Sequence, residues 1–120
     1  MTGIFEERLI EFANLILHVC DNLKPKESSM HLRSQLIRSG TSVALNYGEA
    51  LSAESNRDLL HKYRIMVKEL RETIINLKII KMNDLCRNTV LLSKAIDENN
   101  QLIAIFIKSI QTVRSKTKEK

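Results

Sequence analysis

Apolar residues recur along this chain in steps of three and four, a spacing that gathers side chains on one side of a helix and that a strand cannot reproduce. Phe5, Leu9, Phe12, Ile16, Val19 and Leu23 form the first such series and predict a helix over about residues 4–23. Pro25, in LKPKESS, ends it, because proline has no N–H and disfavours helical geometry in the residue before it. A second helix over about 29–51, capped by Ser28 or Ser29, turns Leu36, Gly40, Val43 and Tyr47 inward. After a break at residues 52–55, Ser55 and Asp58 have the spacing of a capping box. The third helix, about 55–83, repeats the seam as Leu59, Tyr63, Met66, Leu70, Thr73, Leu77 and Ile80. The fourth, about 88–113, carries Leu92, Ala95, Asn99, Leu102, Phe106, Ile110 and Val113, and residues 114–120 are a charged tail.

Helices of similar length joined by short connections pack antiparallel, so the pattern predicts an all-α, up-down-up-down four-helix bundle forming a single domain over 1–120. The 120 residues, 43% of them hydrophobic, are enough to bury a core without a disulfide or metal. Cys20 and Cys86 fall on different elements without CxxC spacing and read as reduced, structural thiols. MTGIFEERLIEF lacks the basic-then-apolar order of a signal sequence, and no window approaches the roughly 18 apolar residues of a membrane span. A cytoplasmic protein without a membrane partner is the expectation.

Within the second helix, LIRSGTSVALNYGEA is thinned by small residues. Gly40 and Gly48 each cost a helix interior about 1 kcal/mol relative to alanine, so close approach of another backbone should offset them. Beside the apolar seam runs a polar stripe, Gln35, Ser39, Ser42, Asn46 and Glu49, again in steps of four and three. If buried, Asn46 and Glu49 need partners, and Arg71 or Lys68 on the third helix could supply them. The stripe reads either as a satisfied seam that fixes helix register or as a ligand or nucleic-acid contact.

The formal charge of +5 is uneven: the first helix is acidic and the excess of cations lies in the last two-thirds. On the third helix Arg57, His61, Arg64, Lys68, Arg71 and Lys78 form one stripe, interrupted by Ile75 and pointing away from the core seam. With Arg114, Lys116 and Lys118 in the C-terminal region, these are the candidate contacts to RNA or DNA, whose binding would weaken with salt as counterions are released. Asp58, Glu69 and Glu72 alongside also fit a solvated outer face carrying local pairs such as Asp58 with Lys62. Few aromatics are available to stack on bases, which argues against sequence-specific single-strand readout.

Ile74, Ile75, Leu77, Ile79 and Ile80 cover nearly the whole circumference of the third helix, more than one core requires. Ile74, Ile75 and Ile79 are therefore candidate contacts between subunits of a symmetric homo-oligomer, or part of a wide contact within one chain. Catalytic chemistry has little footing. No GxxxxGK[ST], GxGxxG or GxSxG occurs. The nearest approach to a diiron Glu-x-x-His is a single Asp58-Leu59-Leu60-His61 off the core seam. The expectation is no enzyme, no cofactor and no metal.

RSGTSVALNYGEA, followed about twenty residues later by KELRET, resembles the bacterial four-helix bundle family that includes proteins encoded in intervening sequences of 23S ribosomal RNA genes and accessory proteins of diversity-generating retroelements. Arg38, Ser39, Ser42, Asn46 and Glu49 fall on its serine, asparagine and glutamate pattern. Lys68, Glu69, Leu70, Glu72 and Leu77 suit its third helix, and LIAIFIKSIQTVRS resembles its fourth. Members commonly read Asn-Ile-Ala-Glu-Gly where this chain has Asn46-Tyr47-Gly48-Glu49-Ala50, so the glycine after the glutamate is missing. The resemblance implies a ring-like homo-oligomer, most simply a pentamer, with a basic surface for nucleic acid or a nucleic-acid enzyme, and no catalytic residues. The competing expectation is a structural or protein-interaction scaffold whose positive charge serves solubility.

Overall fold

The periodic segments form four helices in a computed structural model that describes residues 2–117: α1 (Thr2–Asp21), α2 (Glu27–Ala50), α3 (Asn56–Met82) and α4 (Thr89–Thr117). Their ends follow local chemistry. Ser55 caps α3, its hydroxyl accepting the Asp58 N–H at 3.1 Å, while the Asp58 carboxylate accepts the Glu54 N–H at 3.4 Å. Asn88 caps α4 by accepting the Leu91 N–H at 3.0 Å. Neither Ser28 nor Ser29 caps α2: the helix begins earlier, after Lys26, with Glu27 in its first turn, where a carboxylate suits the positive end of the helix dipole. Ser29 is instead buried, with its hydroxyl unpartnered.

α3 ends in a Schellman motif. Asp84 adopts a left-handed φ of 52°, the Asp84 N–H donates to Lys81 O, and the Leu85 N–H donates to Ile80 O. Leu85 and Ile80 are both buried, the apolar contact that usually accompanies this ending. The same loop pairs with the α1–α2 loop: Lys24 N donates to Leu85 O at 2.7 Å and Arg87 N to Asn22 O at 2.8 Å, an antiparallel bridge of Leu23 with Cys86. Two loops distant in sequence thus tie one end of the bundle.

α1 packs on α2, α2 on α3, α3 on α4, and α4 closes the bundle against α1. Side-chain partners show the antiparallel sense, since Ser39, Ser42 and Glu49 of α2 bond to Thr73, Glu69 and Lys62 of α3 in descending order. The inward seams enclose Leu9, Phe12, Ile16, Leu36, Val43, Met66, Leu70, Leu77, Leu102 and Phe106. Phe106 gathers Phe5, Tyr47 and Tyr63 around it at ring-centroid distances of 5.7–6.1 Å. Among the buried polar residues, Asn99 is fully buried in the inward seam of α4 and neither of its amide atoms has a hydrogen-bond partner.

The two glycines of α2 differ. A Cβ at Gly40 would lie 2.8 Å from Ile16 Cγ2, so its absence lets α1 approach, whereas a Cβ at Gly48 would meet nothing within 4 Å. Gly48 is exposed, and the packing gain expected of it is not present. Ile74 also departs from expectation: it is buried within the chain, leaving Ile75 and Ile79 as the exposed isoleucines of α3. Ile74 lies four residues after Leu70 and three before Leu77, so it shares their inward arc, which is wider than a single seam.

Candidate functional site

The polar stripe of α2 lies along α3, and most of its members find partners there. Ser39 is buried and accepts the Thr73 hydroxyl at 2.8 Å. Ser42 donates to Glu69 Oε2 at 2.9 Å, and the same oxygen takes Arg38 Nη1 at 3.1 Å. The second guanidinium nitrogen of Arg38 reaches Glu72 at 2.7 Å. Glu72 and Glu69 together push the Arg38 pKa up and hold the guanidinium charged. The Glu69 side chain is 13% exposed, so two partners converge on a carboxylate largely withdrawn from water. Isolated burial would be costly, and the converging donors offset it.

Neither Arg71 nor Lys68 serves Asn46 or Glu49. Glu49 pairs with Lys62 at 2.7 Å, and that hydrogen bond raises the lysine's pKa. Asn46 donates to the Ser42 carbonyl one turn back in its own helix. Lys62 therefore reaches across to α2 rather than to the local partner Asp58. Gln35, at the other end of the stripe, sits 3.4 Å from the His31 ring. Spacing alone could place these residues on one face, but the helix register decides which cation stands opposite which acid.

On the outer side of α3, Arg57, His61, Arg64, Lys68, Arg71 and Lys78 are all exposed. Where this face adjoins α2 an open groove of about 830 Å³ runs along the bundle. Leu32, Val67, Ile75 and Ile79 give it apolar surface, and Arg38, Arg64, Lys68 and Arg71 bring cationic groups to it. Ile75 and Ile79 are 56% and 41% exposed. Asn76 joins the lining and ties the two helices by donating to Leu32 O at 3.1 Å. The α2 contribution of Leu32 and Arg38 and the role of Val67 were not apparent from α3's own pattern. The sequence-level signal for them was the pair Ile75 and Ile79 set among cations.

The remaining candidates lie apart from this groove. Arg114 and Lys116 are exposed on the last turns of α4, and Lys118 lies outside the described residues. A smaller groove of about 490 Å³ between α1 and α4 is lined by Glu11, Phe12, Leu15, His18, Lys94 and Asp97, among others. It adjoins the Arg8–Glu98 pair, 2.8 Å apart. Cys20 and Cys86 are free thiols buried in the core, and burial pushes the Cys20 pKa up to about 11. Among the described residues no group of three metal-ligating side chains converges, and no helix is long and apolar enough to cross a membrane.

The model of the 23S rRNA-intervening sequence protein family matches residues 5–108. A solved structure of a protein of unknown function from the S23 ribosomal protein family of Bacteroides thetaiotaomicron has the same fold. It superposes with a TM-score of 0.79 at 24% identity, over 92% of this chain and 97% of that one. No curated protein matches the chain.

Proposed function

Because the chain belongs to the 23S rRNA-intervening sequence protein family, we propose that it acts as that family's resemblance implies, as a homo-oligomeric accessory protein that works by docking and not by catalysis. The observation that supports this reading is the α2–α3 groove, in which exposed isoleucines lie between cationic side chains. Apolar surface rimmed by charge is the usual make-up of a macromolecular contact. A pentameric ring is the assembly carried over from the resemblance. The partner class beyond the protein itself is an anionic macromolecule, RNA or DNA, or an enzyme that acts on nucleic acid.

Direct nucleic-acid binding is supported by one feature, the run of exposed cations from Arg57 in the first turn of α3 to Lys78 near its last. Twenty-one residues at about 1.5 Å each span roughly 32 Å, enough to follow several phosphates. Labelled RNA and DNA, single- and double-stranded, titrated with the protein across a salt series, test this. Binding that weakens steeply with salt and is lost in an Arg57→Glu, Lys78→Glu variant of unchanged oligomeric state supports the nucleic-acid role. Absence of binding at low salt removes that role and leaves the interaction scaffold.

A further inference from the structure

The outer face of α1 is a complement to the α2–α3 groove. Ile10 and Leu17, seven residues and so two turns apart, are 50% and 37% exposed on that face. Around them stand Glu6, Glu7, Glu11 and Asp21, all exposed. The helix's one arginine, Arg8, is turned aside and held by Glu98 of α4, and the helix has no lysine. α1 therefore presents two apolar side chains flanked by carboxylates. The groove presents exposed isoleucines flanked by Arg64, Lys68 and Arg71, and its single carboxylate, Glu72, is already paired with Arg38. The Ile10–Leu17 rise of about 10.5 Å fits within the roughly 18 Å between Val67 and Ile79 along α3.

We infer that the groove between α2 and α3 receives the outer face of α1 from a second copy of this chain. The inference rests on the reading of that groove as a docking surface and names its occupant. The geometry is that of an amphipathic helix laid on an apolar groove, with opposite charges at the rim setting orientation. Because the outer face of α1 and the α2–α3 groove are different surfaces of the chain, we take the contact as head-to-tail. Each added copy leaves one α1 face and one groove open, so the assembly grows until it closes into a ring. Arg64, Lys68 and Arg71 then serve the subunit contact, and Arg57 and Lys78, toward the two ends of α3, stay outside it.

The test uses two full-length variants at exposed positions, Ile75→Asp in the groove and Ile10→Lys on α1, with helicity checked by circular dichroism and mass by sedimentation. The wild type is expected to sediment well above the 13.8 kDa of one chain. Each variant alone should weaken association by at least about tenfold, equal to roughly 1.4 kcal/mol. An equimolar mixture should form a 1:1 heterodimer but no larger ring, because one variant supplies an intact α1 and the other an intact groove while the two surfaces left over are both altered.

A wild-type oligomer indifferent to both substitutions would place the interface elsewhere and overturn the inference while leaving the homo-oligomeric reading intact. Loss of association with Ile75→Asp but not with Ile10→Lys would assign the groove another occupant, again against α1. A monomeric wild type at high concentration would remove both the inference and the oligomeric reading. Added RNA or DNA that dissociates the wild-type oligomer by occupying Lys68 and Arg71 would assign the groove to nucleic acid instead.

Discussion

Gly40 of α2 faces Ile16 of α1 so closely that a Cβ at position 40 would lie 2.8 Å from Ile16 Cγ2 and 3.2 Å from Ile16 Cβ. Ile16 is fully buried and branched at Cβ, so its near atoms cannot swing clear. Gly40→Ala should destabilise the fold by about 1–3 kcal/mol, the clash outweighing alanine's better helix propensity. Gly48→Ala, with open space at the same atom, should stabilise it by up to about 1 kcal/mol. Urea denaturation of the two variants measures both signs; two shifts in the same direction would contradict the packing assignment.

Asn99 occupies a core position with no partner for either amide atom. Asn99→Leu keeps the number and branching of the side-chain heavy atoms, removes the unpaired donor and acceptor, and should raise stability by about 1–3 kcal/mol. A fall in melting temperature would mean that the amide is satisfied by bound water in the folded protein.

Two carboxylates on the α2–α3 seam should behave differently. Glu69→Ala removes a largely buried acceptor shared by Ser42 and Arg38, while Ser42 keeps its bond to Ser39 O and the exposed Arg38 its pair with Glu72, and should cost about 1 kcal/mol. Glu49→Ala breaks an exposed pair with Lys62 and should barely move the denaturation midpoint. An equal effect of the two would show that burial does not set the value of this seam.

Stability should fall as pH rises between about 9 and 11. The unfolded chain releases the Cys20 thiol proton near its ordinary value of 9.0, while burial holds it to about 11 in the fold, so the folded state binds more protons across that window. Burial raises the Tyr47 and Tyr63 pKa values, and the Glu49 hydrogen bond raises that of Lys62, all in the same sense. Urea midpoints across this range test the direction, and Cys20→Ala or Cys20→Val should flatten the slope. The same shift predicts that Cys20 reacts with a thiol reagent at neutral pH only after unfolding.

The sequence by itself determined the four helices, their approximate ends and most of the buried seam, because side-chain direction in a helix follows from its period and from proline, serine and asparagine acting on the local backbone. Ser55 at the start of α3 and the inward run from Leu36 to Tyr47 were legible for that reason. Only the tertiary structure decided which residues stand opposite one another. Glu49 meets Lys62 and not Lys68 or Arg71, Arg38 clamps Glu69 and Glu72, Gly40 is packed while Gly48 is open, and Ile74 is buried while Ile75 and Ile79 are exposed. The groove likewise draws on Leu32 and Arg38 from one helix and Val67, Lys68 and Ile75 from another. Each of these depends on the axial register and rotation of one helix against its neighbour. A helix's own period leaves both free, and they are fixed when all four seams pack together.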